Sequence, residues 1–496
     1  MFTVLLINPY LTTDENNRLF PIEPLGLLYL ATYAKRKIGR FNLDIEIGIL
    51  DAQMEGDKFC IKLDRGYRSG LNDLQLQNKL RQYKPNIIGI SNNYTAHTKD
   101  ILEISKIVKE TCQESLLVIG GAHATIAHND LIKHKEIDIV ARGEGETTFW
   151  EIIQTTYKKN DYENILGITY KKGNKIKINP DRPIIEDINT LPIPDRSLIS
   201  YEKYLSHNDY YLTMNKPVGT IFSSRGCPFK CIFCSTQKVW TNKWRGRSPE
   251  NIINEIEYLK NNYNIKEICF QDDQFMGNNK RVIELCNWIV KKKLKLSFIV
   301  PPGISPILIN EDVIDAMVKA GFYRICLSID VGTETAKVFV RKPIKLEKMR
   351  NIIKKANSKG LWTYATFVIG FPYQTEEDIN KNIEFAYNLH LDFLRFYIAQ
   401  PHLGSDLYDI YKKRKWLDKE AVEDYHSVFD SLFGTENISA KRLKELRDSA
   451  ENKYLKFHLR HFFKPLYIIQ EFIPKIFSLK RFLYFVRLAY YNLKSP

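Results

Sequence analysis

The stretch SSRGCPFKCIFCS, Ser223 to Ser235, places three cysteines at a spacing of C-x3-C-x2-C. Thiols this close together share a metal ion or a cluster. Structural zinc takes four tetrahedral ligands, usually as two separated pairs. Here the set stops at three, and neither cysteine nor histidine follows in the next dozen residues. Four-iron clusters are held by cysteine thiolates, and three ligands leave one iron open to bind something else. Cys227, Cys231 and Cys234 are therefore read as iron–sulfur ligands, with zinc as the bland alternative. The stretch also continues a strand-like run, GTIFSS, so the thiols fall at a strand's carboxyl end.

Downstream of that run the alternation goes on. EICFQD, LSFIVP, RICLSID, YATFVIG and FLRFYIA read as strands, with amphipathic patterns such as ENIINEIEYLKNN and LEKMRNIIKKANSKG between them. Six βα repeats predict a barrel-like α/β domain, shorter than the eight repeats of a closed barrel. Such folds put chemistry at the C-terminal ends of the strands, where the cysteines lie.

Upstream, VLLIN, IEIGIL, IIGIS, LLVIG and IDIVA are continuous apolar runs separated by helical patterns such as TKDILEISKIVKE. Buried on both faces, such strands predict a doubly wound parallel sheet. ILGITYKKGNKIKINPDRPI reads as a hairpin turning at Gly173-Asn174, and the prolines of NTLPIPDRS as an extended linker. The expected organisation is a sheet domain over 1–155, hairpin and linker over 156–205, the partial barrel over 206–410, and a basic, aromatic, helical C-terminal region over 411–496.

The 496 residues carry a net charge of +15, from 73 Lys+Arg against 58 Asp+Glu. Nine Lys/Arg against two Asp/Glu lie beyond residue 450, together with 12 aromatics, so the basic excess belongs largely to the tail. With no recognition motif beside it, that charge argues against nucleic acid. No run of about 18 apolar residues predicts a spanning helix. MFTVLLINPY reads as a buried strand rather than a signal peptide, so a cytoplasmic location is expected. Cys60, Cys112, Cys269, Cys286 and Cys326 are scattered and read as small buried hydrophobes.

With Phe233 just before the last ligand, Cys227, Cys231 and Cys234 match the signature of the radical S-adenosylmethionine (SAM) superfamily, and the chain from Val218 to Tyr408 resembles it. The resemblance implies a [4Fe-4S] cluster whose open iron is chelated by the amino and carboxylate groups of SAM. One electron from the reduced cluster then splits the sulfonium into methionine and a 5′-deoxyadenosyl radical. By position, Asp272 and Asp273 match contacts to the methionyl ammonium. Asp330, where the family commonly carries Glu-Ser-Gly, matches a ribose contact, and Gly370 with Pro372 resembles the G-x-P turn near the adenine.

The glycine-rich turns GGAHAT (Gly120, Gly121) and ARGEGET (Gly143, Glu144, Gly145), with PLGLLYLA and IIGIS, make residues 1–150 similar to the cobalamin-binding domain of cobalamin-dependent radical SAM enzymes. The D-x-H-x-x-G motif is absent. Cobalamin is then expected without a histidine from that motif, bound in part by Ser91, with the loop SNNYTAH facing the corrin's lower side through Tyr94 or His97, while His123 and His128 are read as helix or loop residues.

By resemblance the expected reaction is methyl transfer to an unactivated carbon. The alternative is a radical cyclisation or rearrangement like that of the anaerobic tetrapyrrole cyclases. The expected partners are a small-molecule substrate, lipid-like or tetrapyrrole-like, and an electron donor such as a flavodoxin or ferredoxin. For the tail, Leu479, Phe482, Leu483, Val486, Tyr490 and Leu493 form one helical face, with Lys480, Arg487, Tyr491 and Lys494 largely opposite. That face either packs on the barrel, the favoured reading, or meets the inner membrane surface as a peripheral contact.

Overall fold

The computed structural model describes residues 1–13, 22–56, 61–63, 66–207, 212–417, 433–461 and 468–494. Cys60 and the tail positions 418–432, 462–467 and 495–496 lie outside the described residues. Two compact units emerge, one built on Met1–His207 and one on Asn208–Gln237, Asn242–Trp416 and the tail from Ser427.

Among the described residues the first unit has ten strands: β1 (Phe2–Asn8), β2 (Leu11–Thr13), β3 (Ile45–Asp51), β4 (Ile61–Leu63), β5 (Gly66–Ser69), β6 (Ile87–Ser91), β7 (Leu116–Gly120), β8 (Ile139–Ala141), β9 (Ile168–Lys172) and β10 (Lys175–Ile178). Seven form one sheet in the order β10-β9-β8-β7-β6-β1-β3. β3, β1, β6, β7 and β8 run parallel, and Val4 of β1 lies opposite both Ile47 and Ile87. Val4, Leu5, Leu6 and Ile7 are all buried, as a strand covered on both faces requires. Helices Leu25–Phe41 and Gly145–Tyr157 supply Leu28, Ala31, Phe149 and Ile153 to the core on one side.

Among the parallel strands the order is second, first, third, fourth, fifth. It reverses between β1 and β6, and ligands of such sheets bind in the crevice beyond that point. The predicted hairpin forms with Gly173 at φ 59°, and β9 pairs antiparallel with β8, so it extends this sheet. The following linker is clamped to the same unit by a fully buried ion pair, Arg196 to Glu23 at 2.7 Å. The sheet β2-β5-β4 is too short to announce itself by pattern.

The second unit has β11 (Val218–Ile221), β12 (Ser224–Arg225), β13 (Arg245–Gly246), β14 (Glu267–Phe270), β15 (Ser297–Ile299), β16 (Arg324–Asp330), β17 (Trp362–Ile369) and β18 (Phe393–Ile398). β11-β14-β15 and β16-β17-β18 are parallel sheets. Parallel bridges Phe298–Phe322 and Ile304–Leu327 join them into one curved layer of six βα repeats. Helices start where the sequence supplies a cap: Ser248, Asn310, Thr333 and Thr375 each accept a backbone N–H of the first turn.

The tail packs on this unit. Helix Ala440–His461 covers the edge strand β18, where Glu451 accepts the Phe396 N–H at 2.9 Å and pairs with Arg395 at 2.6 Å. Helix Leu479–Lys494 lies across the N-terminal ends of the strands. Tyr484 and Leu488 join Val218, Tyr323, Trp362 and Phe393 in a buried cluster, and Arg324 donates to the Tyr484 hydroxyl at 2.9 Å.

The packed face is not the expected one. Leu479 and Leu483 are 74% and 57% exposed, and Phe482, Val486 and Tyr490 are exposed with them. The inward face instead carries Arg481 and Arg487, which donate to the Gly360 and Thr213 carbonyls. Cations can face inward when their heads find backbone acceptors. The helix also sits at the barrel end opposite the cysteines, which separates it from any substrate entering there. No helix among the described residues is long and apolar enough to cross a membrane.

Candidate active site

Between β12 and β13 the chain loops out through Cys227, Cys231 and Cys234. The antiparallel pair Ser224–Gly246 and Arg225–Arg245 pins the loop's stem. Its middle is fixed by Ile232, whose N–H donates to the Val340 carbonyl at 3.1 Å and whose carbonyl accepts the Leu407 N–H at 2.9 Å. All three thiols are half-buried and free of disulfides. Burial pushes Cys227 up to about 11 and Cys231 up to about 12, the neighbouring thiols adding to both. Unmetallated, Cys227 and Cys231 are neutral; a metal must displace their protons.

No three His, Cys, Asp or Glu side chains among the described residues gather as closely as a single ion requires. A four-iron cube asks for a wider arrangement, because each thiolate meets its own iron. Three thiols on one short loop suit such a cube by their number and chemistry.

Lys342 is the group that sequence reasoning missed. Only 5% exposed, it donates to the equally buried Asp330, and it also faces Cys231 and Cys227. It thus places a cation against thiols that become thiolates on metallation. Asp330 sits in the left-handed region at φ 64°, where aspartate is tolerated better than most residues. Lys342 lies 12 positions past Asp330, in a run with no motif to mark it.

The two acidic neighbours after β14 differ. Asp272 is fully buried and accepts from the Ser223 N–H (2.7 Å) and from the Ser223 and Ser224 hydroxyls (both 2.5 Å). Arg281 completes the network by donating to the Ser223 carbonyl. Asp272 is thus a brace beneath the cysteine loop rather than an acceptor held open for a ligand.

Asp273 faces the loop. Solvent reaches it, yet protein crowds it on most sides. That desolvation pushes its carboxyl up to about 6, against the Gly226 N–H 3.3 Å away.

Phe233 packs against Phe371 with ring centroids 6.2 Å apart, bringing the Gly370-Phe371-Pro372 turn to the cysteine loop. Gly370 needs its positive φ of 84°, and a Cβ there would lie 3.1 Å from Leu443. Gln374 fixes the turn by accepting the Gly370 and Phe371 N–H groups at 2.8 and 2.9 Å. Two polar atoms of this unit are buried without partners: Ser305 Oγ past β15, and Asn382 Nδ2, whose Oδ1 takes the Gly332 N–H. Orphaned atoms of this kind suit a polar ligand such as SAM.

In the first unit the predicted turns converge beyond the strand ends. Past β6, the Asn92 N–H donates to the Gly120 carbonyl at 2.6 Å, and the Asn92 carbonyl accepts from His123 at 3.1 Å. Thr125 Oγ1 accepts the Gly143 N–H at 3.0 Å. The Asn92 amide is buried with neither polar atom bonded, at the sheet's switch point, which fits a large polar-edged ligand such as cobalamin.

Of the other predicted residues, Ser91 Oγ is engaged by Asn93 and Tyr94 is 65% exposed. His97 leans on Asp100 and against the edge of Tyr94. Glu144 accepts the Ile185 N–H, and Gly145 makes room for Leu30. His123 and His128 lie in the helix Ala122–Leu131, bonded to Thr95 and Thr169. Burial holds His123 down to about 4.

Gly121 has φ 117°, and a Cβ there would sit 2.6 Å from the Asn92 carbonyl oxygen. Gly121→Val is expected to destabilise this unit by roughly 1–3 kcal/mol and to weaken cobalamin uptake, read by thermal melting and by absorbance titration. Gly143→Asn, at φ 72° with open space around it, should leave the melting temperature nearly unchanged.

The model of the radical SAM superfamily matches residues 221–386, and that of the B12 binding domain matches residues 16–153. An uncharacterized methyltransferase of Pyrococcus horikoshii is 30% identical over 86% of this chain and 90% of its own. The anaerobic magnesium-protoporphyrin IX monomethyl ester cyclase of Rubrivivax gelatinosus is 27% identical over 79% of this chain and 69% of its own. Among solved structures, the radical SAM methyltransferase TsrM from Kitasatospora setae, with cobalamin and a [4Fe-4S] cluster bound, shares the fold. Its TM-score is 0.68 at 17% identity, over 84% of this chain and 79% of that one.

The chain belongs to the radical SAM superfamily, in the group that couples the radical domain to a B12-binding domain. It is an enzyme, and the cofactors that these domains imply are a [4Fe-4S] cluster, SAM and cobalamin.

Proposed function

We propose that this enzyme transfers a methyl group to an unactivated carbon of a small-molecule substrate. The observation that carries the reading is one chain holding both a three-thiol loop at the C-terminal mouth of the βα repeats and a glycine-lined crevice with an orphaned amide at the sheet's switch point. When bound, the cluster supplies the electron that splits SAM, and cobalamin carries the methyl group.

The protein's part is placement. Residues 1–155 hold the corrin, with Ser91, Gly120, Gly121 and Gly143 letting it approach backbone closely; the hairpin and linker over 156–205 extend and clamp that unit; 206–410 hold cluster and SAM; the helices Ala440–His461 and Leu479–Lys494 buttress the barrel. Cys227, Cys231 and Cys234 ligate iron. Asp273, rather than Asp272, meets the methionyl ammonium. Asp330 and Lys342 fix the floor beneath SAM, and Gly370 to Pro372 shape the adenine pocket. Free thiols suit a reducing, cytoplasmic setting.

A second reading, radical cyclisation, is favoured by the likeness to the Rubrivivax cyclase. Anaerobic turnover of the reconstituted enzyme separates the two. Methyl transfer predicts S-adenosylhomocysteine alongside 5′-deoxyadenosine. Cyclisation predicts 5′-deoxyadenosine and methionine alone, and that result would sink the methyl-transfer reading.

A further inference from the structure

Two asparagines stand side by side past β6, and their amides are used in opposite ways. Asn93 is exposed, yet both of its polar atoms are bonded: Nδ2 donates to Ser91 Oγ at 3.0 Å, and Oδ1 accepts the Ala122 N–H at 3.2 Å. Asn92 is 1% exposed, and neither its Oδ1 nor its Nδ2 has a partner among the described residues. Its backbone holds it there. The Asn92 N–H donates to the Gly120 carbonyl, and the Asn92 carbonyl accepts the N–H groups of His123 and Ala124, at 3.1 and 3.3 Å, in the first turn of the helix Ala122–Leu131. A buried amide left unpaired costs free energy that an apolar side chain of the same size would not. Past β1, the other strand at the switch point, the Tyr10 hydroxyl is likewise buried and unbonded, as is Thr98 Oγ1 where the Asn92 loop ends. Unbonded polar atoms thus mark the strand ends beyond which ligands of such sheets bind.

An amide with both atoms unpaired asks for a group that accepts and donates side by side. A carboxylate only accepts, and an ammonium or guanidinium only donates. A primary carboxamide does both, and closes two hydrogen bonds with an asparagine at once. The corrin of cobalamin carries primary carboxamides around its rim. We propose that Asn92 is a specificity-determining residue of the cobalamin site and reads one rim carboxamide through such a two-point pair. This role rests on the cobalamin assignment above and goes further, since it gives the enzyme a means of telling an amidated corrin from one altered at that amide.

The test uses the reconstituted full-length enzyme, hydroxocobalamin, and cobalamins in which one rim carboxamide at a time is replaced by a methyl ester. The ester keeps a carbonyl acceptor and loses the N–H donor. Affinities are read by absorbance titration, without turnover. The unsubstituted enzyme is expected to bind the ester at one rim position at least roughly tenfold to a hundredfold more weakly than cobalamin. Asn92→Leu should weaken cobalamin by a similar factor and abolish the preference for amide over ester at one such position. Before any corrin is added, the variant's melting temperature should hold or rise, because two unpaired polar atoms are gone. An equal loss for cobalamin and every ester in Asn92→Leu, which a merely structural role predicts, would overturn the proposal. So would unaltered cobalamin affinity in the variant, a full set of esters bound as tightly as cobalamin, or a lowered melting temperature without corrin. Failure of the cobalamin assignment looks different: the unsubstituted enzyme then takes up no corrin at all, and the proposal falls with it.

Discussion

Cys231→Ala is expected to strip the enzyme of its brown chromophore and of 5′-deoxyadenosine formation together. Two thiolates cannot hold a four-iron cube at three corners, and no other described cysteine can take the place. Cys269, Cys286 and Cys326 are buried within the fold, and Cys112 belongs to the first unit. The first unit should stay folded, since its core is its own. Absorbance, iron and labile-sulfide assays and product analysis check this, with cobalamin uptake as the control. Full SAM cleavage in the variant would contradict the ligand assignment.

Lys342→Met should be the next most damaging change. It leaves Asp330 buried with its counter-charge removed, and breaking a buried pair on one side costs about 3–5 kcal/mol. Native-state hydrogen exchange of the Arg324–Asp330 strand reads that loss locally. Asp330→Asn combined with Lys342→Met should recover most of it. Asparagine tolerates the left-handed backbone at position 330, and neither partner is then charged. The cluster would also lose a cation beside two of its ligands, so its reduction potential should move negative in Lys342→Met, and less so in the double variant, which also removes the Asp330 charge. A stability loss below about 1 kcal/mol in Lys342→Met, the range of a solvent-screened pair, would mean that the pair is not buried as described.

What could be read from sequence alone follows a physical divide. Strands such as Val4–Ile7 and Ile87–Ile90 are apolar at consecutive positions, so they show in the pattern. Cys227, Cys231 and Cys234 are local in the chain, so their spacing carries their chemistry.

Features made by distant residues were hidden. Lys342 gains its meaning only when the short helix after β16 returns it to the cysteine loop. Asp272 and Asp273 are adjacent and chemically identical, yet Ser223 and Ser224, nearly fifty positions upstream, claim one and leave the other. The helix Leu479–Lys494 shows why periodicity alone misleads. Its more apolar face stays exposed, and the face that packs, with Tyr484 and Leu488, is the one whose arginines reach the Gly360 and Thr213 carbonyls. An amphipathic pattern ranks faces by apolarity and does not register backbone acceptors waiting on the other side.

The most direct test is electron paramagnetic resonance of the anaerobically reconstituted, reduced enzyme with and without SAM. An iron left open by three thiolates binds the sulfonium's amino and carboxylate groups, so adding SAM should change the cluster's signal. A reduced-cluster spectrum identical in the presence and absence of SAM would contradict the account at its root.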